Sequence, residues 1–520
     1  MSTATHGGAG QDLRRDILTT LLPGFAGPDA PAWLLDLLRE GLGGVCVFGT
    51  NVVSPAQLAG LTAELRAANP LAVVAIDEEG GDVTRLFFDR GAPYPGNAVL
   101  GRIDDPELTR AVGRAVGEAL VAVGCTMTFA PDADINSNAA NPVIGVRSFG
   151  AEPGLVARHT AAWVEGVQSA GIDASAKHFP GHGDTATDSH LALPVVDLPL
   201  EALRERELAP FRAAIAAGTR SIMTSHILLP QLDAEHPATL SPRILHGLLR
   251  GELGFEGVIV SDALDMAGAS GGRGIPEAAV LALAAGCDLL CIGTDNTGEQ
   301  MEEIAQAVAD AVASGRLPAE RVADAAARVR ALAADARPTG EPVASAAPQL
   351  DPGLPVGLPE GLADRVAASF HIAPGTLDRL CATGAVGTVV RVETIANIAV
   401  GSVPWGPFAL ASAPDPAAPA PAWLTDAAEV VLDAATPLPD PSALAGPVLV
   451  VGKDLHRHVV AVDAIARLRA ARADVVTVDL GWPSDDLAVA DIATFGASRG
   501  VAATFAELVQ DALTASTEVS

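Results

Sequence analysis

Fourteen residues, KHFPGHGDTATDSH from Lys177 to His190, hold three histidines, two aspartates, a lysine and two glycines. Gly181 and Gly183 permit backbone conformations that a side chain forbids, so the segment reads as a shaped loop rather than a helix. Asp188 stands two residues before His190, and such a pair can do general acid/base work. The carboxylate orients the ring and stabilises the imidazolium. A second candidate lies in VIVSDALDM, where Asp262 ends a strand. Its carboxylate can serve as a nucleophile or merely cap the following helix, and the sequence weighs the two equally. Asp265, one turn on, reads as a solvated helical residue. A metal-dependent hydrolase is a different reading of the same loop, because His178, His182, His190, Asp184 and Asp188 include zinc-ligand types. The loop lacks the fixed helical spacing of a motif such as HExxH.

These residues need elements to hold them. Short apolar runs alternate with Ala-rich helical stretches up to about residue 335: GGVCVFG (43–49), LAVVAID (71–77), CTMTFAPDADI (125–135), DASAKHFP (173–180), RSIMTSHI (220–227), GVIVSDAL (257–264) and CDLLCIG (287–293). A weaker run, ILTTLLPGF (17–25), makes an eighth. Strand, helix, strand over this length implies a parallel sheet, and eight repeats favour a closed (β/α)8 barrel of the TIM type. Nearly every run ends in polar residues: Asp77 and Glu79, Asp132 and Asp134, Lys177 and His178, His226, Ser261 and Asp262. In a parallel barrel those ends meet on one face.

The composition changes after residue 336. Residues 337–361 are rich in Pro, Ala and Gly and read as a linker. Beyond it VGTVVRVE, AEVVLDA, GPVLVVG and ADVVTVDLG predict a smaller α/β domain over 362–520, after a catalytic barrel over 1–336. The net charge of −30 argues against a nucleic-acid partner, which needs clustered Lys and Arg, and against anionic membrane surfaces. Five cysteines, an odd number, sit mostly in apolar runs and read as buried thiols of a reducing compartment rather than a disulfide framework. Neither a signal peptide nor an apolar stretch of the roughly 18 residues of a membrane span is visible, so a cytoplasmic protein is expected.

KHFPGHGDTATDSH, with VSDALDM, AIDEEGGDVTR and VIGVRSFG, resembles the β-N-acetylglucosaminidase branch of family 3 glycoside hydrolases. The resemblance runs through the whole barrel in order and spacing, and extends more weakly to VVTVDLGWP in the second domain. It implies a barrel followed by an α/β sandwich and a retaining exo-enzyme that needs no cofactor or metal. Asp262 would be the nucleophile, His190 the acid/base and Asp188 its partner. Sugar-binding positions would be Asp77, Arg85, Arg147, Lys177 and His178; a rim salt bridge is the bland alternative for the two arginines. Such a set suits a pyranose, whose hydroxyls need donors and acceptors, and aromatic residues for stacking are only 4% of the chain. The implied substrate is a small carbohydrate, a muropeptide carrying terminal β-linked GlcNAc. Inorganic phosphate is an alternative acceptor, which would make the protein a phosphorylase; a sugar-binding protein without catalysis is a third reading. One departure from the family is visible: Asp82 stands where Arg is usual, at a position read as exposed.

Overall fold

All eight expected barrel strands form. The computed structural model describes residues 5–185, 193–335, 358–394, 397–412 and 419–515. Asp188, His190 and residues 337–357 of the Pro/Ala/Gly-rich segment lie outside the described residues. The strands are β1 (Leu21–Leu22), β2 (Gly44–Val47), β3 (Val73–Ile76), β4 (Met127–Thr128), β5 (Asp173–Phe179), β6 (Ser221–Thr224), β7 (Val258–Ser261) and β8 (Leu289–Cys291). They pair in parallel in the order β1-β8-β7-β6-β5-β4-β3-β2, and Cys46 N donates to Pro23 O at 2.9 Å to join the two ends.

Every residue of these strands is buried, which is why most of them read as continuous apolar runs instead of alternating ones; β5, DASAKHF, also buries Asp173, Ser175, Lys177 and His178. Leu22, Cys46, Ala75, Phe129, Val260 and Leu289 meet in one interior cluster. Outside, helices such as Pro106–Ala122 and Pro153–Ser169 lay their apolar stripes on the sheet. Helix Pro55–Ala68 starts where the sequence signals it: Ser54 Oγ accepts from Gln57 N at 3.1 Å and Pro55 takes the first position. All five cysteines are free and four are buried. Burial pushes the Cys125 thiol up to about 12, so it packs as a small hydrophobe. Among the described residues no helix is long and apolar enough to cross a membrane.

A second sheet contains β9 (His371–Ile372), β10 (Thr388–Val392), β11 (Ala428–Leu432), β12 (Val448–Gly452), β13 (Val475–Asp479) and β14 (Ile492–Ala493), ordered β11-β10-β12-β13-β14-β9. Only the β14–β9 pair is antiparallel. These two strands have two residues each, too short to leave a pattern in the sequence.

The chain divides into two compact units, and the division does not follow chain order. The first comprises Met1–Glu79, Pro106–Ile135 and Ala151–Asp351; the second comprises Gly80–Asp105, Asn136–Gly150 and Pro352–Ser520. The segments that follow β3 and β4 therefore cluster with the second sheet: Ala98 and Val99 share a buried cluster with Phe495, Val501 and Phe505.

At the amino-terminal end of the barrel strands, Asp288 takes Arg250 and Arg321 at 2.6 Å each and Ile259 N at 2.9 Å. The carboxylate is 1% exposed, so removing it strands two largely buried guanidiniums. Asp288→Ala is expected to cost about 3–5 kcal/mol in urea unfolding. A variant as stable as the parent would mean that the arginines find other partners.

Candidate active site

The carboxyl-terminal rim of the barrel is built around two buried carboxylate clusters. Asp77 follows β3, and Lys177 reaches it from within β5: Lys177 Nζ lies 2.6 Å from Asp77 Oδ1 and 2.8 Å from Glu79 Oε1. The side chains of Lys177 and Glu79 are each 3% exposed, while that of Asp77 is 20% exposed. A buried ammonium requires such partners. Lys177, expected from the sequence as a donor to the sugar, is thus engaged in fixing Asp77, which keeps a solvent-facing edge.

The second cluster forms where the chain leaving β4 runs beside β5. Ala133 N donates to Lys177 O at 2.6 Å, and Asp134 N donates to Asp132 Oδ1 at 3.0 Å. The Asp134 carboxylate then accepts from His178 N (3.2 Å), His178 Nδ1 (2.7 Å) and His182 N (2.7 Å). With Nδ1 donating to a carboxylate, a neutral His178 presents Nε2 as an acceptor, and only the imidazolium donates from both nitrogens. His178 was expected as a donor; the geometry makes that role conditional on protonation.

The glycines of the loop have separate reasons. Gly181 has φ +128°, and a side chain at Gly183 would start 1.7 Å from Ile135 O. The chain passes flush against the end of the fourth strand segment and nothing larger fits. Beyond it, His182 Nδ1 is bonded to Thr185 Oγ1 at 2.8 Å, and Asp184 pairs with Arg206 at 2.6 Å. Arg206 also holds Glu207 at 2.5 Å. The loop continues to Asp188 and His190, which lie outside the described residues.

Asp262 leaves β7 on the same rim and is half-buried. Its Oδ1 accepts from Ala263 N at 2.8 Å. The helix-capping alternative does not hold, because the next helix is Ala267–Ser270 and its N-cap position is Met266. Asp265 is not helical either: it sits in the turn and its Oδ2 accepts from Thr294 N at 3.3 Å. His226, after β6, bridges Thr239 Oγ1 and Ala263 O at 2.9 Å each, pinning the backbone that presents Asp262.

Asp132, Asp134 and His178 bring three ligand-type atoms within 4.8 Å of one another. Their contacts are those of a hydrogen-bonded brace, since Asp134 alone accepts three N–H groups from the neighbouring segment. Of the wider ligand set read from the sequence, His178, His182 and Asp184 are engaged by Asp134, Thr185 and Arg206 respectively.

Arg85 and Arg147 belong to the second unit. Arg85 donates to Ala399 O at 2.6 Å and Val400 O at 3.2 Å. Arg147 ends the turn Gly145–Arg147 and donates to Val143 O at 3.2 Å. Asp82, read as exposed, accepts from Ala497 N at 2.8 Å beside the start of helix Arg499–Thr514; burial pushes its carboxyl up against the pull of Lys453. Sequence reasoning named Asp134, Glu79 and His226 only as polar strand ends. Nothing in spacing pointed to Glu207 or Asp265.

The sequence profile described as Glycosyl hydrolase family 3 N terminal domain matches residues 31–332. A solved β-N-acetylglucosaminidase of that family from Paenibacillus sp. str. FPU-7 superposes with a TM-score of 0.84 at 32% identity, covering 96% of both chains. Among curated proteins, Beta-hexosaminidase A of Pseudoalteromonas piscicida is 37% identical over 58% of this chain, which spans only 55% of that relative's length. A Beta-hexosaminidase of Neisseria meningitidis serogroup C (strain 053442) is 40% identical over 51% of this chain and 76% of its own.

Glu207 supplies a pH test of the rim. Its side chain is 1% exposed, and burial raises its carboxyl to about 7, outweighing the opposing pull of Arg206. The folded state therefore holds a proton that the unfolded chain releases near the ordinary value of 4.5. The associated stability is complete below that value and is lost as pH rises through about 7. Glu207→Gln removes this loss, so the variant's melting temperature relative to wild type is expected to climb between about pH 4.5 and 7 and to level off above. A constant difference across the range would show that Glu207 does not titrate there.

Proposed function

Because the chain belongs to glycosyl hydrolase family 3, we propose that it is a retaining exo-β-N-acetylglucosaminidase that removes terminal β-linked GlcNAc by double displacement at Asp262. The observation that carries the reading is the Asp262 carboxylate, placed at the end of β7 and not spent on a helix cap. An Asp262 oxygen attacks the anomeric carbon as the bond to the leaving oxygen breaks, and His190, partnered by Asp188, donates its proton to that oxygen. Neutral His190 then takes a proton from water as the water attacks the anomeric carbon and releases Asp262, so configuration is retained overall. A histidine can replace the usual second carboxylate because an acidic neighbour keeps its ring protonated near neutral pH.

Asp77, Arg85, Arg147, Lys177 and His178 complete the proposal as the residues that select the sugar. Asp77 accepts hydroxyl hydrogen bonds, and Lys177 acts mainly by fixing it. The aglycone proposed is the (anhydro)MurNAc of a muropeptide, and the setting cytoplasmic cell-wall recycling. Phosphorolysis gains no support from Lys177. Its charge, which would draw phosphate to the intermediate, lies between Asp77 and Glu79 and projects little positive potential.

Asp262→Asn is expected to lower turnover of an aryl N-acetyl-β-glucosaminide by about a thousandfold or more with the fold intact. An activated fluoro-sugar is expected to label Asp262. Label on another carboxylate, or near-normal turnover in the variant, would remove the assignment.

The acid/base role has its own signature. His190→Ala should slow glycosides with poor leaving groups far more than activated aryl glycosides, and Asp188→Asn should move the pH profile lower. Equal losses on both substrate classes count against His190. Raising phosphate at constant ionic strength and assaying for GlcNAc-1-phosphate separates hydrolysis from phosphorolysis.

A further inference from the structure

Arg85 and Arg147 come from different excursions of the barrel sequence, yet both are secured through one short turn beyond residue 395. Arg85 donates to the carbonyls of Ala399 and Val400. The turn that presents those carbonyls is closed by Asn397: its Oδ1 accepts from Ala399 N at 2.9 Å, and its backbone carbonyl accepts from Val400 N at 3.1 Å and Gly401 N at 2.9 Å. The same side chain turns its Nδ2 outward to Pro142 O at 3.1 Å and Val143 O at 3.0 Å. Val143 O also receives Arg147 Nη1 at 3.2 Å. One amide therefore shapes the acceptors of one arginine and shares the acceptor of the other.

The surrounding bonds give the turn something rigid to act on. Asn141 Oδ1 accepts from Val143 N and Ile144 N at 2.9 Å each, and Arg457 donates to Asn141 O at 3.0 Å. Asn97 Nδ2 donates to Arg147 O at 2.6 Å. The Arg147 backbone is held independently of Asn397, so what Asn397 contributes is the placement of Val143 O and, through it, of the guanidinium. Asn suits this position because it offers an acceptor and two donors from a short, planar group. Asp would keep the bond to Ala399 N and turn repulsive toward the two carbonyls, and Ala would lose both sides.

We propose that Asn397 is a positioning residue for both arginines, so that a turn of the carboxyl-terminal part of the chain sets how tightly the enzyme holds its sugar. The proposal rests on the reading of Arg85 and Arg147 as sugar-binding residues. Asn397 itself need not touch the substrate. Its effect belongs to binding and not to the covalent step, which falls to Asp262 and His190.

The test measures KM and kcat for 4-nitrophenyl N-acetyl-β-glucosaminide, and the inhibition constant of free GlcNAc, for Asn397→Ala, Asn397→Asp, Arg85→Ala, Arg147→Ala and the double variant Asn397→Ala with Arg147→Ala. Asn397→Ala is expected to raise both KM and the inhibition constant about tenfold while kcat stays within about twofold. Asn397→Asp, which keeps the turn closed, is expected to show a smaller rise of the same kind. The double variant is expected to fall short of the product of the two single effects, because Asn397 acts partly through Arg147. Unchanged KM in Asn397→Ala and Asn397→Asp, beside a raised KM in Arg147→Ala, overturns the positioning role and leaves the sugar-binding reading standing. A fall in kcat and melting temperature without a change in KM also overturns it, since that marks a structural residue. Unchanged KM in both arginine variants overturns the sugar-binding reading itself. If Asn397→Ala does not fold, Asn397→Asp is judged by the same criteria.

Discussion

The carboxylate of Asp134 is fully buried, and burying a charge is affordable only when hydrogen bonds replace the water it loses. Three N–H groups do so, two from His178 and one from His182. All three lie at the end of β5 or just beyond it, so the requirement to solvate one anion dictates the path of the chain from His178 to Gly183. It sets the ring of His178, starts the turn at His182 and commits the following residues to run over Ile135. The Asp77–Lys177–Glu79 cluster works by the same rule, with the ammonium supplying what water no longer can.

Much of this was legible in the sequence, and for definite reasons. Most barrel strands buried on both faces are apolar, and their polar carboxyl ends must coincide on one rim; both properties leave local patterns. GGVCVFG, LAVVAID and GVIVSDAL became strands, with Asp77 and Asp262 at their ends. Partnership was not legible. Lys177 lies 100 residues from Asp77, and Asp134 lies 44 from His178. No periodicity links such pairs, so the sequence offered Lys177 as a donor for the sugar without the two carboxylates that hold it. Asp265 read as a solvated helical residue one turn beyond Asp262; it is exposed, but the structure begins that helix only at Ala267 and bonds the aspartate to the loop after β8. Asp82 likewise read as exposed because its acceptor role depends on Ala497, 415 residues away.

The described part of the histidine-rich loop is tied to several neighbours by hydrogen bonds and an ion pair. Its contacts run to both sides: His178 and the His182 backbone to Asp134, the His182 ring to Thr185, Asp184 to Arg206. A polar network satisfied in this way is rigid as well as specific.

The non-sequential division of the chain has a consequence for how the protein comes into being. Translation is directional, and domains ordinarily fold in the order they emerge. Here Gly80–Asp105 and Asn136–Gly150 emerge long before the residues they cluster with, Phe495 and Phe505 among them. Ala98 and Val99 thus remain apolar surface on a nascent chain until those residues have followed. A chain cut short before those residues would carry two segments without the cover that they supply.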